Sequence, residues 1–513
     1  MTVAKIAAGA LWILLTATAA TAQNPPGAAA PGPAGGGSGS STQSSASGTS
    51  GGGSGQPASP LSQNSYMGSV PTGTATKEVL QISFKDAIER GLKYNLGTLL
   101  SSHQIEAARG NLWQALSNLL PSLTTDTTET ISKVNLEQSG FTKIHAPGFS
   151  FGSLNPIIGP FGYFDTRAYL STPVFDASSW AKTHSARANL EASRYSYKDS
   201  RELVVLVVGY TYLQAVTAAS RVETAEAQVK TAEALFRQAS DQRTAGTSPA
   251  IDALRANVEF QTRQQQLIAA KNDYQKQLIA LARTIGLAAG QPLDLTERIP
   301  YDAQPPITVD EALHRAYASR ADFQSAQLRV RAAEAQRRAA TEERLPSLYF
   351  DANYGLGGET PDQVRGTYQA MGSLKFPIFL GGKIHADYLQ ADANLNTARS
   401  ELENLRGQID QDVRNALLDV DSSSQQVQVS KSSVDLANQT LDQARDRFVA
   451  GVTDNIEVVQ AQDAVASANE ALISSLLNYN VARISLARAQ GIAETGVLEY
   501  LKGRSNNGAS SGN

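Results

Sequence analysis

The 513 residues contain no cysteine. That excludes a disulfide framework, a thiolate metal site, a catalytic thiol and a lipid-modified N-terminal cysteine. Charge of one sign is also missing: 44 Lys and Arg against 48 Asp and Glu leave a formal net charge of −4. A nucleic-acid binder needs a strong basic excess, so that class is set aside. Methionine is scarce, at 3 residues including the initiator, which leaves few soft ligands for a Cu(I) path. Enzyme signatures are missing as well. None of the 5 histidines begins an H-E-x-x-H motif, and Gly381-Gly382-Lys383 lacks the upstream glycine and following Ser/Thr of a phosphate loop. No cofactor, metal or catalytic residue is expected. Past the first 22 residues no apolar run approaches the ~20 residues of a membrane helix. A membrane location would therefore require a β-barrel.

What is present begins with Lys5, an apolar run from Ile6 to Leu15, and the small residues Ala20-Thr21-Ala22. This is the pattern of a secretory signal cleaved after Ala22, too short for a transmembrane anchor. Residues 23–76 follow as a Gly/Ser/Pro-rich stretch with no charge from Asn24 to Thr76. It reads as a flexible tether, because it has little apolar surface to offset its ordering entropy. The tail 496–513 reads the same way.

The body reads as a tandem duplication, 77–300 and 301–495. Ile82-Ser83-Phe84-Lys85-Asp86-Ala87-Ile88 matches Ile307-Thr308-Val309-Asp310-Glu311-Ala312-Leu313, and Leu120-Pro121-Ser122-Leu123 matches Leu345-Pro346-Ser347-Leu348. Pro173-Val174-Phe175 matches Pro377-Ile378-Phe379, and Leu281-Ala282-Arg283 matches Leu486-Ala487-Arg488. Each half opens with a capping box, Ser83…Asp86 or Thr308…Glu311. A helix of about 38 residues should follow and stop at Pro121 or Pro346. Hairpins are expected over 122–175 and 347–379. In the second, Leu348, Phe350, Ala352 and Tyr354 alternate with Tyr349, Asp351 and Asn353, and Tyr368, Ala370, Gly372, Leu374 and Phe376 alternate with Gln369, Met371, Ser373 and Lys375. In the first, Phe164, Ala168, Leu170 and Val174 mark one face, and a long apolar loop spans roughly 138–160.

The runs 176–245 and 380–450 contain no proline. Each predicts a helix of roughly 100 Å at ~1.5 Å per residue. Apolar residues recur every seven: Val208, Ala215, Val222, Val229 and Phe236, then Val413, Val420, Val427, Val434, Leu441 and Phe448. Small residues such as Ala218, Ala225 and Ala232 sit three positions on, the pattern of a close-packed left-handed supercoil. Leu203–Val208 favours a strand in isolation, but its flanks are helical and it is read as helix. Gly246 and Gly451 break the long helices. Return helices are expected over 249–287 and 454–490. They and the opening helices would stack end to end beside each long one. Four strands cannot close a barrel, whereas three copies would supply twelve. The strands would turn Leu, Phe and Tyr to lipid and Asp351, Asn353, Ser373 and Lys375 to the lumen.

The duplicated marks Leu-Pro-Ser-Leu, Pro-x-Phe with Gly381-Gly382, and Ala-Gly-x-x-x-x-Ile-(Asp/Glu) resemble the TolC family of outer-membrane efflux proteins, over about Val79 to Ala493. The resemblance implies an α+β membrane protein: a homotrimer with a twelve-stranded outer-membrane barrel and a long periplasmic α-helical tunnel. It implies docking to a periplasmic adaptor and an inner-membrane transporter of a tripartite efflux or type I secretion system. The turns Ala245-Gly246-Thr247 and Ala450-Gly451-Val452 correspond to the tips that meet the adaptor. Asp252 and Glu457 match an acidic position near the tunnel entrance, where three copies would form cation-favouring rings. Alternatively they are solvated acids complementing a helix start. Some family members carry a second acid one turn on; here that position is Gln460, with Asp454 as the compensating acid. Arg243 stands where the second half has Phe448. The competing reading is an envelope-spanning coiled-coil spacer with no pore, which would not need two alternating hairpins.

Overall fold

The two proline-free runs do form the long rods. In chain order the elements are β1 (Leu80–Ile82), α1 (Phe84–Tyr94), α2 (Leu96–Ser117), β2 (Ser122–Asn135), β3 (His145–Ala146), β4 (Phe149–Ser150), β5 (Ile157–Phe175), α3 (Ala177–Thr244), α4 (Ala250–Thr284) and β6 (Leu293–Leu295). They continue as α5 (Val309–Ser319), α6 (Ala321–Glu342), β7 (Ser347–Gly358), β8 (Arg365–Lys375), α7 (Lys383–Val449) and α8 (Asn455–Ala489). This computed structural model describes residues 65–135, 138, 145–146, 149–150, 157–247, 249–297, 307–450, 452 and 455–496. The expected signal 1–22, the tether up to residue 64, most of the first hairpin's loop, Gly451, Asp454 and the tail from residue 497 lie outside the described residues. Helix lengths match between the halves: 11 and 11 residues for α1 and α5, 22 and 22 for α2 and α6, 68 and 67 for α3 and α7, 35 and 35 for α4 and α8.

The heptad residues are the seams. Along α3, Val208, Thr211, Ala215, Ala218, Ala225, Ala232 and Ala239 are buried, and along α7 so are Val413, Ala416, Ser423, Val427, Leu441 and Ala444. Small side chains at these positions let the rods approach closely enough for dense contact. Leu203–Val208 is helical, with Val204, Val205 and Val208 fully buried. The local strand preference of valine loses to tertiary burial. One stretch of α3 is long and apolar enough to cross a membrane by length and composition alone, contrary to the sequence expectation. It lies mostly inside the protein, packed on α1, the end of α4 and α8.

Side by side, the elements form a strip four wide. The sheet order is β2-β5-β7-β8, antiparallel throughout. Next to the sheet, α2 packs on α3, α3 on α6 and α6 on α7; farther along the rods, α4 packs on α3, α3 on α8 and α8 on α7. Beside the sheet and along the rods the same two sides therefore carry the edges, β2, α2 and α4 on one, β8 and α7 on the other; α1 packs on α3 and α5 on α7 besides, and α4 also touches α8.

Three expectations need correction. The opening helices are not continuous. Each breaks once, at Asn95 (ψ 137°) and at Arg320 (ψ 121°), giving α1–α2 and α5–α6. Asn95 starts the second piece by accepting the N–H of Gly97 at 2.9 Å. Arg320 is held instead by Asp322 and by Asp412, the latter at 3.0 Å. Second, the tether does not extend to residue 76. Tyr66 is buried, and the chain from Tyr66 to Thr72 straps the Asn95 break. The Asn95 amide donates to the Tyr66 carbonyl at 2.6 Å, Leu96 N–H to Gly68 at 3.0 Å, Val70 N–H to Tyr94 at 3.0 Å and Thr72 N–H to Gly286 at 3.1 Å. The strap thus supplies partners the helix loses where it breaks. Third, Val174 does not share a face with Leu170. A bulge between Pro173 and Phe175 resets the register, so Phe175 pairs with Leu348. A short parallel pair, β1 with β6, was not legible in the sequence at all.

Near the strap, charged groups pin the C-terminal turn to α3. Glu202 accepts the N–H of Ala493 at 2.6 Å and of Glu494 at 3.3 Å, and Arg201 holds the Glu494 carboxylate. Arg488 pairs with Asp199. Burial pushes the carboxyls of Asp199 and Glu202 above the ordinary range, against the pull of Arg488 on the first and of two backbone N–H groups on the second.

Two stability predictions follow from these contacts. A Cβ at Gly97 would lie 2.3 Å from the Tyr66 ring, so Gly97→Ala should cost about 1–3 kcal/mol and expose Ser65–Thr76 to protease. The same substitution should be nearly free in a Tyr66→Ala background; equal costs in both would rule out the strap contact. At α1 the Ser83–Asp86 box is made in both directions, whereas at α5 Thr308 accepts from Glu311 N–H and the Glu311 carboxylate turns to Arg315 instead. Thermal unfolding should therefore register a loss of about 1 kcal/mol for Ser83→Ala and less for Thr308→Ala.

Candidate channel lining and helical tips

The register sorts the four-stranded sheet into two unlike faces. On one, Leu170 lies beside Ala352 and Ala370, Ala168 beside Tyr354 and Tyr368, and Thr166 beside Leu356 and Gly366. Leu123, Phe350 and Leu374 share this face and are exposed. On the other face Ser171 lies beside Asp351, Tyr169 beside Asn353 and Gln369, and Arg167 beside Gly355 and Thr367. Asp351, Asn353, Ser373 and Lys375, the residues assigned to a lumen from alternation alone, all fall on this polar face.

The polar face is tied together across strands. Arg167 pairs with Asp165 at 3.1 Å and donates to Asn353 at 2.7 Å and Thr367 at 3.2 Å. It reaches them by lying over Gly355, where a Cβ would stand 2.9 Å from the guanidinium. Ser171 donates to Asp351 at 2.6 Å. The Lys375 ammonium stands 4.7 Å from the centre of the Tyr349 ring. Alternation identified this face, but it could not identify Arg167 and Asp165 as its charged centre. The bond from Arg167 to Asn353 depends on β5–β7 pairing between residues 186 apart in sequence.

At the far end the tips close as helical C-caps. Gly246, at φ +74°, donates to Arg243 at 3.0 Å and Thr247 donates to Gln242 at 2.9 Å. This is the paired bond pattern of a glycine-terminated helix. Ala450 and Val452 flank Gly451, and Val452 N–H repeats the longer bond to Arg447 at 3.0 Å. Val449, Val452, Ile251 and Leu254 are exposed around the two tips. Ala245, Gly246, Thr247, Ala450 and Val452 thus lie at the C-terminal ends of α3 and α7.

The acids there do not stand free. Asp252 is 9% exposed and lies beside Arg255, 3.9 Å away. Glu457 pairs with Arg447 at 3.3 Å across the turn. Gln460 is exposed, and Arg243 is exposed where Phe448 packs inward. Beyond them, Arg263 is buried, bonded to Glu259 on its own helix at 2.6 Å and to Asp463 of α8. This bridge between the two return helices was not anticipated. Only its i,i+4 half, Glu259–Arg263, has a signal in the sequence.

Known proteins share this arrangement. A sequence profile of the family described as "Outer membrane efflux protein" matches residues 99–287 and 312–492. The outer membrane protein TolC of Escherichia coli is 22% identical over 336 residues, 63% of this chain and 68% of that protein. The alkaline protease secretion protein AprF of Pseudomonas aeruginosa is 25% identical over 355 residues, 66% of this chain and 72% of that protein. The pyoverdine export outer membrane protein OpmQ of the same species is 25% identical over 317 residues, 61% of this chain and 66% of that protein. Among solved structures, CusC superposes with a TM-score of 0.69 over 82% of this chain and 97% of its own, at 17% identity. The Campylobacter jejuni CmeC outer membrane channel gives 0.66 over 83% and 89%, at 18% identity. With a profile match over most of its length, the two-faced sheet and the long paired rods, this chain belongs to the outer membrane efflux protein family.

Proposed function

We propose that three copies of this chain close into one outer-membrane exit channel, a passive conduit with no catalytic step. The observation that carries this reading is the strip itself. Beside the sheet and along the rods its edges fall on the same two sides, and those edges are incomplete. β2 and β8 each have one neighbour in the sheet, and α4 and α7 expose Ile268, Ile279, Leu418, Val429 and Leu436. A second copy placed edge to edge would pair strand with strand and rod with rod together. Three copies bring twelve strands, enough to enclose a pore. The apolar face would then meet lipid and the Arg167–Asp351–Lys375 face would line the lumen. The matched helix lengths support a duplication as the origin of the two halves.

The helical tips, some 100 Å from the sheet by ~1.5 Å per residue along α3, would face an adaptor in the periplasm and, through it, an inner-membrane transporter that supplies the energy. Relatives are named for pyoverdine export and for alkaline protease secretion; the cargo of this channel would be of the one kind or the other, a small molecule or a polypeptide. Asp252 and Glu457 would ring the entrance, with Arg255 and Arg447 setting how much negative charge each ring presents.

The test is single-channel recording in a planar bilayer. Wild type should insert and give stable conductance. Asp252→Ala with Glu457→Ala removes two acids per chain and leaves Arg255 and Arg447 uncompensated, so its cation-over-anion preference should fall. A protein that never inserts and stays a water-soluble rod would overturn the channel and favour a pore-less spacer.

A further inference from the structure

At the junction between sheet and rods, the chain from β8 into α7 reads Phe376-Pro377-Ile378-Phe379-Leu380. Ile378 is 94% exposed and Phe379 84%. Few large apolar side chains in a folded protein are so bare, and neighbouring ones together mark an interaction site. Pro377 fixes the backbone φ just before the pair, and Gly381 and Gly382, both at positive φ, turn the chain into α7. Because β8 and α7 are both edge elements, the segment joining them lies at that edge of the strip.

The opposite edge carries its own bare apolar residues. Trp113, on the last turns of α2, is 62% exposed, and Leu120, between α2 and β2, is 50% exposed. A chain of contacts crosses the strip and sets the two patches at one height. Thr183 of α3 donates to the Ala115 carbonyl of α2 at 3.3 Å. The next residue back, Lys182, bonds Glu343 at 3.0 Å, and Glu343 also holds Lys383, at the start of α7, at 3.1 Å. Ala115 is two residues from Trp113, and Lys383 is four from Phe379.

We propose that Ile378 and Phe379 form an apolar hook that seats against Trp113 and Leu120 of the next copy of this chain. The inference rests on the trimeric reading above and assigns residues to its interface. The occupant is a second copy because bare apolar patches at one height on opposite edges meet when the strip closes on itself. The site is also where the sheet's hydrogen-bonded edge gives way to helix packing, so the hook would fasten the seam where strand pairing ends.

The absence of native cysteine makes the test clean. In the full chain, reconstituted in lipid, Phe379→Cys or Ile378→Cys is combined with Leu120→Cys and oxidised. A disulfide needs Cα atoms within ~7 Å, so at least one pair should convert monomer bands into a reductant-reversible covalent trimer, and the single variants should not. If neither pair cross-links while the variants still conduct as wild type does, the hook is wrong and the channel stands. If they do not conduct, the failure belongs to the trimeric reading. A polarity-sensitive dye on Phe379→Cys adds an independent arm. Quenching by brominated lipid chains, without cross-linking, would assign the loop to the membrane and overturn the proposal.

Discussion

A backbone N–H or C=O placed in hydrocarbon must find its partner within protein, because no water is there to supply one. A four-stranded sheet that presents Leu, Phe and Tyr on one face and leaves β2 and β8 open at its edges fails that condition alone. The condition would be met by another copy continuing the ladder, and it governs more than the strands. α3 and α7 leave the sheet directly through β5 and β8, with only the Asp176 cap or the Phe376–Gly382 linker between. Whatever closes the sheet would therefore close the rods as well, because sheet and rods carry their edges on the same two sides.

Within one copy the rods are held by two kinds of force. Heptad seams of small and branched residues bury apolar surface worth roughly 25 cal/mol per Å². Charged groups then fix the places where the helical pattern is interrupted: Arg320 with Asp322 and Asp412 at one break, Glu202, Arg201 and Asp199 at the C-terminal turn. Removing one partner from such a buried set costs more than the pair contributes, since the survivor is left uncompensated. The break at Asn95 uses a different device, the Tyr66 strap. Two halves of equal helix length thus solve the same interruption in two ways.

Much of this was legible in the sequence because it is periodic. The seven-residue spacing gave the rods within a few residues of their ends, and alternation put Asp351, Asn353, Ser373 and Lys375 on one face. What was not legible depends on partners distant in the chain. The Asn95 break has no proline or glycine at the breaking position, and the groups that satisfy it, Gly68 and Tyr66, lie well before it in the chain. The reach of the tether was overstated for the same reason: Tyr66, Met67 and Val70 are among its few large apolar residues, too sparse to mark a packed segment without the Asn95 break they dock on. Val174 was put on the wrong face because a bulge is a pairing event between β5 and β7. At the tips, the sequence offered Asp252 and Glu457 as acids but gave no sign that Arg255 and Arg447 stand against them.

Native mass measurement of the protein extracted in mild detergent tests edge closure most directly. A single species at three times the mature chain's mass is the predicted result. A stable monomer that nonetheless keeps its folded sheet in the membrane would contradict it, since the edges of β2 and β8 would then be satisfied some other way.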